Sequence, residues 1–487
     1  MPSMTRQAGI LSSVDSIRFI LKSIIGIVLA RLLSQNDYGT YRQLFLIYGT
    51  VATLLLVGIP QSMLYFLPKI ADEKRKAYIS KTVDMVSVLA IVFTMLILLF
   101  NPLISSIFKN SGLKPLLMIF CVYPIFMFVN QLYSFIMLGM QDTRKVITFN
   151  LFSIVTDLIL IAGIALLTRS LLLIVCGVVI SAFVQWIFVR IQLSKHTTKY
   201  SWDKEYYKEQ LKYSVPLGLS SIIGMLTIQL DKLVISSVFT PAAFAVFSIG
   251  AMELPFIGII TNSVNSVILP VLSRSGKSSE AEQVFRGSIR KNALLIFPIT
   301  IVCFFLAADI LTFLYGKGYS GSAPYFRIYL ITLLLRVASY GIVFQALNKN
   351  RYILINAIAT LVGNLILNLI LVYSPLGMRG PAIATVIVTY LSTALYLFWM
   401  HRDLNMKLTN MFPLLQLGKT FLAALIAGGA LAFVLPHIHS MFLRLILGAG
   451  IYGTAYLAFA LVFKAILPYD IQTAKAFLSE MRDRIRR

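Results

Sequence analysis

Long apolar runs separated by short polar turns dominate the pattern of this 487-residue chain. A hydrocarbon core of about 30 Å needs about 20 helical residues. Runs of that length recur over roughly 10–33, 40–66, 78–101, 113–138, 145–168, 170–193 and 213–238, and again over 243–272, 288–314, 324–347, 351–373, 379–400, 412–436 and 441–467. The pattern predicts an all-α polytopic membrane protein of about fourteen transmembrane helices. Gly, Pro and Ser inside these runs do not argue against helix, because neighbouring helices satisfy the freed backbone groups.

The pattern also repeats. Leu138–Asn150 reads LGMQDTRKVITFN, and Phe344–Asn356, 206 positions later, reads FQALNKNRYILIN. Each passes from an apolar helix through a cationic turn into a helix carrying Asn. The same offset lays Leu33–Tyr41 on Phe239–Phe247, and the apolar-Pro pairs Leu67-Pro68 and Leu269-Pro270 recur in order. Duplication with an even number of helices per copy gives two pseudo-symmetric six-helix lobes in the same orientation, with a central cavity between them. The expected organisation is an N-lobe over 1–193, an amphipathic cytoplasmic linker over 194–212 and a C-lobe over 213–405. Residues 406–487 would add two further helices and a basic tail.

Composition agrees with this class: 58% of residues are hydrophobic, 13% are charged and the mean hydropathy is +0.83. The formal net charge of +24 would suit a nucleic-acid binder, but its placement does not. Most Lys and Arg fall in the even-numbered connections and the termini, as in Lys74-Arg75-Lys76, Lys204–Lys212 and Arg482–Arg487. The positive-inside rule then puts both termini in the cytoplasm, and the excess charge serves orientation and lipid headgroups. Cys121, Cys176 and Cys303 fall inside predicted helices and read as small core residues. The first run carries Asp15, Arg18 and Lys22, so it reads as a retained helix rather than a cleavable signal.

Arg18, Lys22, Lys232 and Arg336 lie within the apolar runs. A charge at the bilayer centre costs at least about 2.5–3.5 kcal/mol, so each should face a partner, a cavity or a ligand. Together they point to an anionic passenger. Asp15, Arg18 and Lys22 are spaced three and four apart and share one helix face. Two readings stand for them: an Asp15–Arg18 ion pair that permits burial, or cations facing a cavity. Asp231 beside Lys232 is open in the same way. Glu253, Asp157 and Asp309 could each neutralise a cation or close a gate, for instance Glu253 with Arg336. Asp84 reads as the interfacial partner of Lys81.

The sequence carries no phosphate-binding GxxxxGK[ST] loop, no nucleophile–base–acid set and no outer connection large enough for a soluble domain. His196, His401, His437 and His439 lie at helix ends or in loops without a third ligand nearby. No cofactor is expected, and a transporter fits better than an enzyme.

Certain segments carry a resemblance. They are Ala30–Tyr41 (ARLLSQNDYGTY), Gly58-Ile-Pro60, Leu64–Lys69, Gln229–Ser236 (QLDKLVIS), Ala245–Gly250 and Val267–Ser273. In this order they resemble the O-antigen and capsular polysaccharide flippases of the multidrug/oligosaccharidyl-lipid/polysaccharide exporter superfamily, over about residues 5–400. Ala245 stands where such chains usually have Gly. The resemblance implies movement of an undecaprenyl-pyrophosphate-linked oligosaccharide from the cytoplasmic to the periplasmic leaflet of the bacterial cytoplasmic membrane by alternating access. Partners would be that lipid, the membrane and the polysaccharide polymerase machinery.

On this reading Arg18, Lys22 and Arg336 attract the pyrophosphate, with Asp15 and Glu253 beside them. The related lipid II flippases imply a cation site at Asp231, Asn364, Asn368 and Thr385. Asn368 stands where an acid is expected, so Na⁺ and H⁺ both remain as coupling ions. The two final helices would groove the prenyl tail. Rival readings are a lipid II flippase or drug/cation antiporter of the same superfamily, and, less favoured, a membrane polysaccharide polymerase or ligase.

Overall fold

The computed structural model describes residues 4–198, 203–252, 254–275, 279–467 and 470, without the side chains of 4–15, 255, 256, 275 and 279. The described residues form helices and turns with no strand. In the first half these are α1 (Met4–Leu32), α2 (Gln35–Leu56), α3 (Ile59–Phe66), α4 (Asp72–Ile107), α5 (Leu113–Phe120), α6 (Tyr123–Gly139), α7 (Thr143–Asp157), α8 (Ile164–Thr168), α9 (Leu171–Leu193), α10 (Lys204–Val238) and α11 (Pro241–Gly250). The second half adds α12 (Pro255–Ser275), α13 (Ser279–Phe305), α14 (Ala307–Tyr315), α15 (Ala323–Leu333), α16 (Tyr340–Ala346), α17 (Asn350–Val372), α18 (Arg379–Arg402), α19 (Leu408–Met411), α20 (Leu414–Val434) and α21 (Met441–Val462).

Among the described residues, ten helices are long and apolar enough to cross a membrane, or twelve if the bent pairs α2–α3 and α5–α6 each count as one span. The other two predicted spans fall on α1 and on the broken pair α15–α16. Large apolar side chains such as Leu99, Leu167 and Phe433 are more than two-thirds exposed, as a lipid-facing surface requires.

Local chemistry sets the ends. Ser34 caps α2 by accepting the Asp37 N–H, and Asp142 and Asp203 cap α7 and α10 by accepting those of Lys145 and Tyr206. α4, of 36 residues, is about 54 Å long and begins in the charged stretch Asp72–Lys76, so its first turns project from the hydrocarbon. α10 likewise begins at Lys204, where the sequence reading had a surface linker running to residue 212. The Asp203 cap and continuous helical bonding draw those polar residues into the span's first turns.

The chain divides into two compact units, Met1–Ser248 and Ile249–Arg487. The sequence repeat puts α10 in the second lobe, whereas in the structure it packs against α2 and α3 in the first unit. In the first unit, α4, α6 and α9 pack around Phe93, Phe120, Phe128 and Tyr133. In the second, α20 packs on α21 and on α13, so close to the latter that a Cβ on Gly428 would fall 2.4 Å from the Phe305 ring.

The repeat recurs as geometry, with a corrected register. The left-handed turn residues Lys109 and Gln141 recur as Gly316 and Asn348, each 207 positions later, and Arg169 recurs as Gly377. Asn150 and Asn356, matched at 206, therefore stand one helical position out of register. They also do different work: Asn150 accepts from Arg18, whereas Asn356 exchanges hydrogen bonds with Ser392.

Candidate functional site

Within the first unit, α1, α2, α6, α9 and the turn after α7 enclose a cavity of about 280 Å³. Lys22, Tyr41, Arg42, Tyr123, Asp157 and Gln185 supply its polar lining. Arg18, one turn before Lys22 on α1, donates from Nη1 to Asn150 Oδ1 on α7 at 2.8 Å. That bond anchors α1 to α7 and supplies Arg18 with a partner. The side chain of Asp15 lies outside the described residues, so its pairing with Arg18 does too.

Asp157 ends α7, where the backbone widens into a π-helical turn over Leu158–Gly163. Such turns shift the side-chain register and are frequent at functional sites. Asp157 Oδ1 accepts from Ser181 Oγ at 2.7 Å and from Gln185 Nε2 at 2.9 Å. Gln185 Nε2 also reaches Thr156 Oγ1 at 3.1 Å. Ser181 and Gln185 are four apart on α9, so one helix face presents both donors to one carboxylate. The outcome is a hydrogen-bonded carboxylate facing two cations, Lys22 and Arg42, across a space walled by phenols.

The sequence reading missed Arg42 and the two tyrosines. The apolar run starting near residue 40 leaves Arg42 at its edge, but α2 begins at Gln35 and carries it seven residues into the helix. The Ser34 cap with Asp37 three residues on was the available signal.

In the second unit, Arg336 does not lie mid-helix. α15 stops at Leu333, residues 334–338 form tight turns, and α16 starts at Tyr340. The Leu335 and Arg336 N–H groups bond three residues back, to Thr332 and Leu333. Asn292 on α13 donates from Nδ2 to the freed Val337 carbonyl at 3.0 Å, and both groups are buried. A helix broken at membrane depth survives only where its backbone groups find such partners, and Arg336 is carried on the break. Glu253, its suggested mate, lies outside the described residues.

Asn364, Asn368 and Thr385 come together in the second unit. Asn368 Nδ2 donates to Asn364 Oδ1 at 2.8 Å, and Thr385 Oγ1 lies 3.5 Å from the same oxygen. Asn368 is fully buried, and its Oδ1 has no hydrogen-bond partner among the described residues. Asp231, the fourth residue of that set, is a buried α10 residue of the first unit whose Oδ1 accepts the Lys232 N–H at 2.7 Å.

Two other ionic expectations are resolved. Asp309 on α14 pairs with Arg444 on α21 at 3.3 Å. Lys81 pairs not with Asp84 but with Asp203 at 2.7 Å, while Arg190 is the charged neighbour of Asp84. Lys81 and Asp84 sit three apart on α4, but the Asp203 cap of α10 comes closer to the ammonium. That hydrogen bond from Lys81, joined by the Tyr206 N–H, holds the Asp203 carboxyl below the usual carboxylate range.

A profile described as "Polysaccharide biosynthesis protein" matches residues 28–324. The chain belongs to that family. The match takes in Arg42, Asp157 and Asn292, and it begins after Lys22 and ends before Arg336.

Family resemblance extends to named relatives. The chain is 26% identical to the capsular polysaccharide biosynthesis protein CapF of Staphylococcus aureus, over 28% of this chain and 33% of that one. It is 24% identical to the stage V sporulation protein B of Bacillus subtilis, over 76% and 78% respectively. The chain spans less than half the length of the first three curated relatives it matches, at 33%, 42% and 46%. Among solved structures, an inward closed conformation of the lipid II flippase MurJ superposes with a TM-score of 0.77 at 17% identity, covering 93% of this chain and 98% of that one. An inward-facing multidrug resistance transporter of the MOP superfamily gives 0.61. The polysaccharide biosynthesis family member described here thus has the multi-pass, all-helical MOP fold.

Proposed function

We propose that this protein is a flippase that carries an undecaprenyl-pyrophosphate-linked oligosaccharide, a repeat unit of a surface polysaccharide, from the cytoplasmic to the periplasmic leaflet. It would work by alternating access in the bacterial cytoplasmic membrane, with both termini in the cytoplasm. The observation that carries the reading is the cavity holding Lys22 and Arg42 within a membrane-spanning unit. Cations kept there at a cost of several kcal/mol need an anion to justify them; on this reading the anion is a pyrophosphate, and membership of a polysaccharide biosynthesis family supports a glycan-bearing cargo.

Lys22 acts as a mobile point charge and Arg42 as a planar fork suited to a bridging phosphate. Asp157 keeps the cavity from holding the anion too tightly, since it offsets part of the positive charge and lets the cargo leave. Arg336, carried on the α15–α16 break, serves the same cargo from the second unit. An apolar groove of about 190 Å³ lined by Ile301, Phe304, Phe305, Phe421 and Leu425 suits a stretch of prenyl tail.

Movement against a gradient needs a coupling ion. Asn364, Asn368 and Thr385 offer hard oxygens, with the Asn368 Oδ1 still lacking a donor. We assign the coupling to Na⁺ or H⁺ at this cluster. The test is translocation of fluorescent undecaprenyl-pyrophosphate glycan in proteoliposomes under a Na⁺ gradient, a pH gradient or neither. Translocation accelerated by one gradient and abolished in Asn368→Leu supports the coupling. Equal rates under all three conditions remove it, and no translocation at all removes the flippase reading.

A further inference from the structure

The first unit holds a second cavity, of about 180 Å³, that the reading above leaves unused. Its lining includes Tyr48, Thr53, Gln61, Gln131, Phe135 and Ser221, and it holds no Lys, Arg, His, Asp or Glu. The volume is that of about six waters at about 30 Å³ each, which suits one pyranose ring with its hydroxyls.

Its chemistry is that of a site for hydroxyl groups. A hydroxyl both donates and accepts, and a carboxamide offers both in return. Gln131 Nε2 donates to the Tyr48 hydroxyl at 2.9 Å, which leaves that hydroxyl its own proton and Gln131 its carbonyl. Thr53 Oγ1 donates to the Gly49 carbonyl at 2.9 Å, leaving its lone pairs to accept. Gln61 Oε1 is buried with no hydrogen-bond partner among the described residues. An orphan acceptor of that kind is a standing cost that a single ligand hydroxyl would relieve. Tyr48 and Phe135 add aromatic surface for the apolar face of a ring.

The position of the cavity matters as much as its lining. α2 and α6 build both cavities of this unit. α2 gives Arg42 and Phe45 to the charged one and Tyr48 and Thr53 to the neutral one. α6 gives Tyr123 and Met127 to the first, then Gln131 and Phe135 to the second. Those four residues advance four at a time along one face and cover about 18 Å. A cationic pocket and an uncharged amide pocket thus lie in series on the same two helices.

We infer that the Gln61–Gln131 cavity is a recognition subsite for an uncharged sugar, a hexose or N-acetylhexosamine, of the glycan whose pyrophosphate the Lys22 cavity takes. The inference rests on the flippase reading for its biological setting, but the site itself is defined by its own lining. It makes the α2–α6 pair a two-part reader, charge at one end and sugar hydroxyls at the other.

The experiment is saturation-transfer-difference NMR on the purified full-length protein in nanodiscs. The probes are a panel of neutral hexoses and N-acetylhexosamines, with glucuronate and sodium pyrophosphate as charged comparators. The subsite predicts a signal from at least one neutral sugar that pyrophosphate does not displace. Gln61→Leu and Gln131→Leu should each weaken it at least tenfold at unchanged elution volume, with Thr53→Val as the substitute should either fail to fold. Absence of any neutral-sugar signal, a signal unchanged in the variants, preference for glucuronate, or displacement by pyrophosphate would overturn the subsite. Sugar binding without lipid translocation in proteoliposomes sinks the flippase reading alone, and translocation without sugar binding sinks the subsite alone.

Discussion

Replacing Gly218 with alanine tests the packing that holds the bend beside the amide-lined cavity. The α2–α3 bend of 46° is made at Val57 and Gly58, both with positive φ, at 37° and 73°. α10 passes directly over it. A Cβ added to Gly218 would lie 2.3 Å from the Val57 carbonyl carbon and 2.5 Å from its oxygen, and one added to Gly58 would lie 2.7 Å from the Ser214 oxygen. Ordinary carbon contacts stand at about 3.5–4.0 Å, so the two backbones would have to part by about 1 Å. Both are main chain, so no flexible side chain can yield instead.

Gly to Ala in a helix interior gains about 0.5–1 kcal/mol from backbone entropy. Overpacking of this kind costs about 1–3 kcal/mol, and more where backbone must shift. The clash wins, and Gly218→Ala should be net destabilising by about 1–2 kcal/mol. Gly224, six residues on in the same helix, has nothing within 4 Å of its Cβ position, so Gly224→Ala should be neutral or stabilising. The three free cysteines, Cys121, Cys176 and Cys303, are buried or half-buried, so a thiol-reactive dye in a thermal ramp reads unfolding without an added probe. Gly218→Ala should melt several degrees below wild type and Gly224→Ala should not. Equal melting of Gly218→Ala and wild type would refute the close α10–bend contact.

Three further expectations follow from single contacts. Asn292→Leu orphans the Val337 carbonyl at the α15–α16 break and should cost about 1–3 kcal/mol in the same assay; an unchanged melt would mean that Asn292 does not support the break. Asp203 has its carboxyl held low by Lys81, so the pair's contribution should be present above the unfolded carboxylate value of about 3.9 and be lost as pH falls through the lower folded value. The melting difference between wild type and Asp203→Asn should accordingly persist at neutral pH and vanish in strong acid, and a difference that grows on acidification contradicts the sign. Asp157→Asn keeps the shape of the Ser181–Gln185 network but removes the charge that opposes Lys22 and Arg42. It should tighten pyrophosphate binding, measured by calorimetry, by about tenfold or more, equivalent to about 1.4 kcal/mol, and weaker binding would reverse the role given to Asp157.

How much of this was legible in the sequence depends on whether a feature is local or made by a distant partner. The apolar runs were legible because a bilayer imposes one length and one polarity on every span. The Ser34 cap, with Asp37 three residues on, starts α2 earlier than the apolar run near residue 40 suggests, and that earlier start puts Arg42 well inside the helix and in a cavity wall. The break at Arg336 was hidden because Leu333-Leu334-Leu335 reads as continuous helix; what supports the turn is Asn292, more than forty residues away. Asp157 was noticed but not understood, since its donors sit on α9 and the π-turn that aims it leaves no mark in a run of Leu, Ile and Ala. Lys81 was given the wrong carboxylate because sequence spacing favours a neighbour three residues off over a cap brought in by the fold.

On the proposed function, cations in the first unit's cavity carry a lipid-linked pyrophosphate across the membrane. The most direct measurement is the translocation rate of undecaprenyl-pyrophosphate oligosaccharide in proteoliposomes containing wild type or Lys22→Met at matched protein density. A charge-assisted contact contributes about 1.5–3 kcal/mol, so Lys22→Met should be at least tenfold slower, with added sodium pyrophosphate inhibiting wild type far more than the variant. Equal rates and equal inhibition in the two proteins would contradict it.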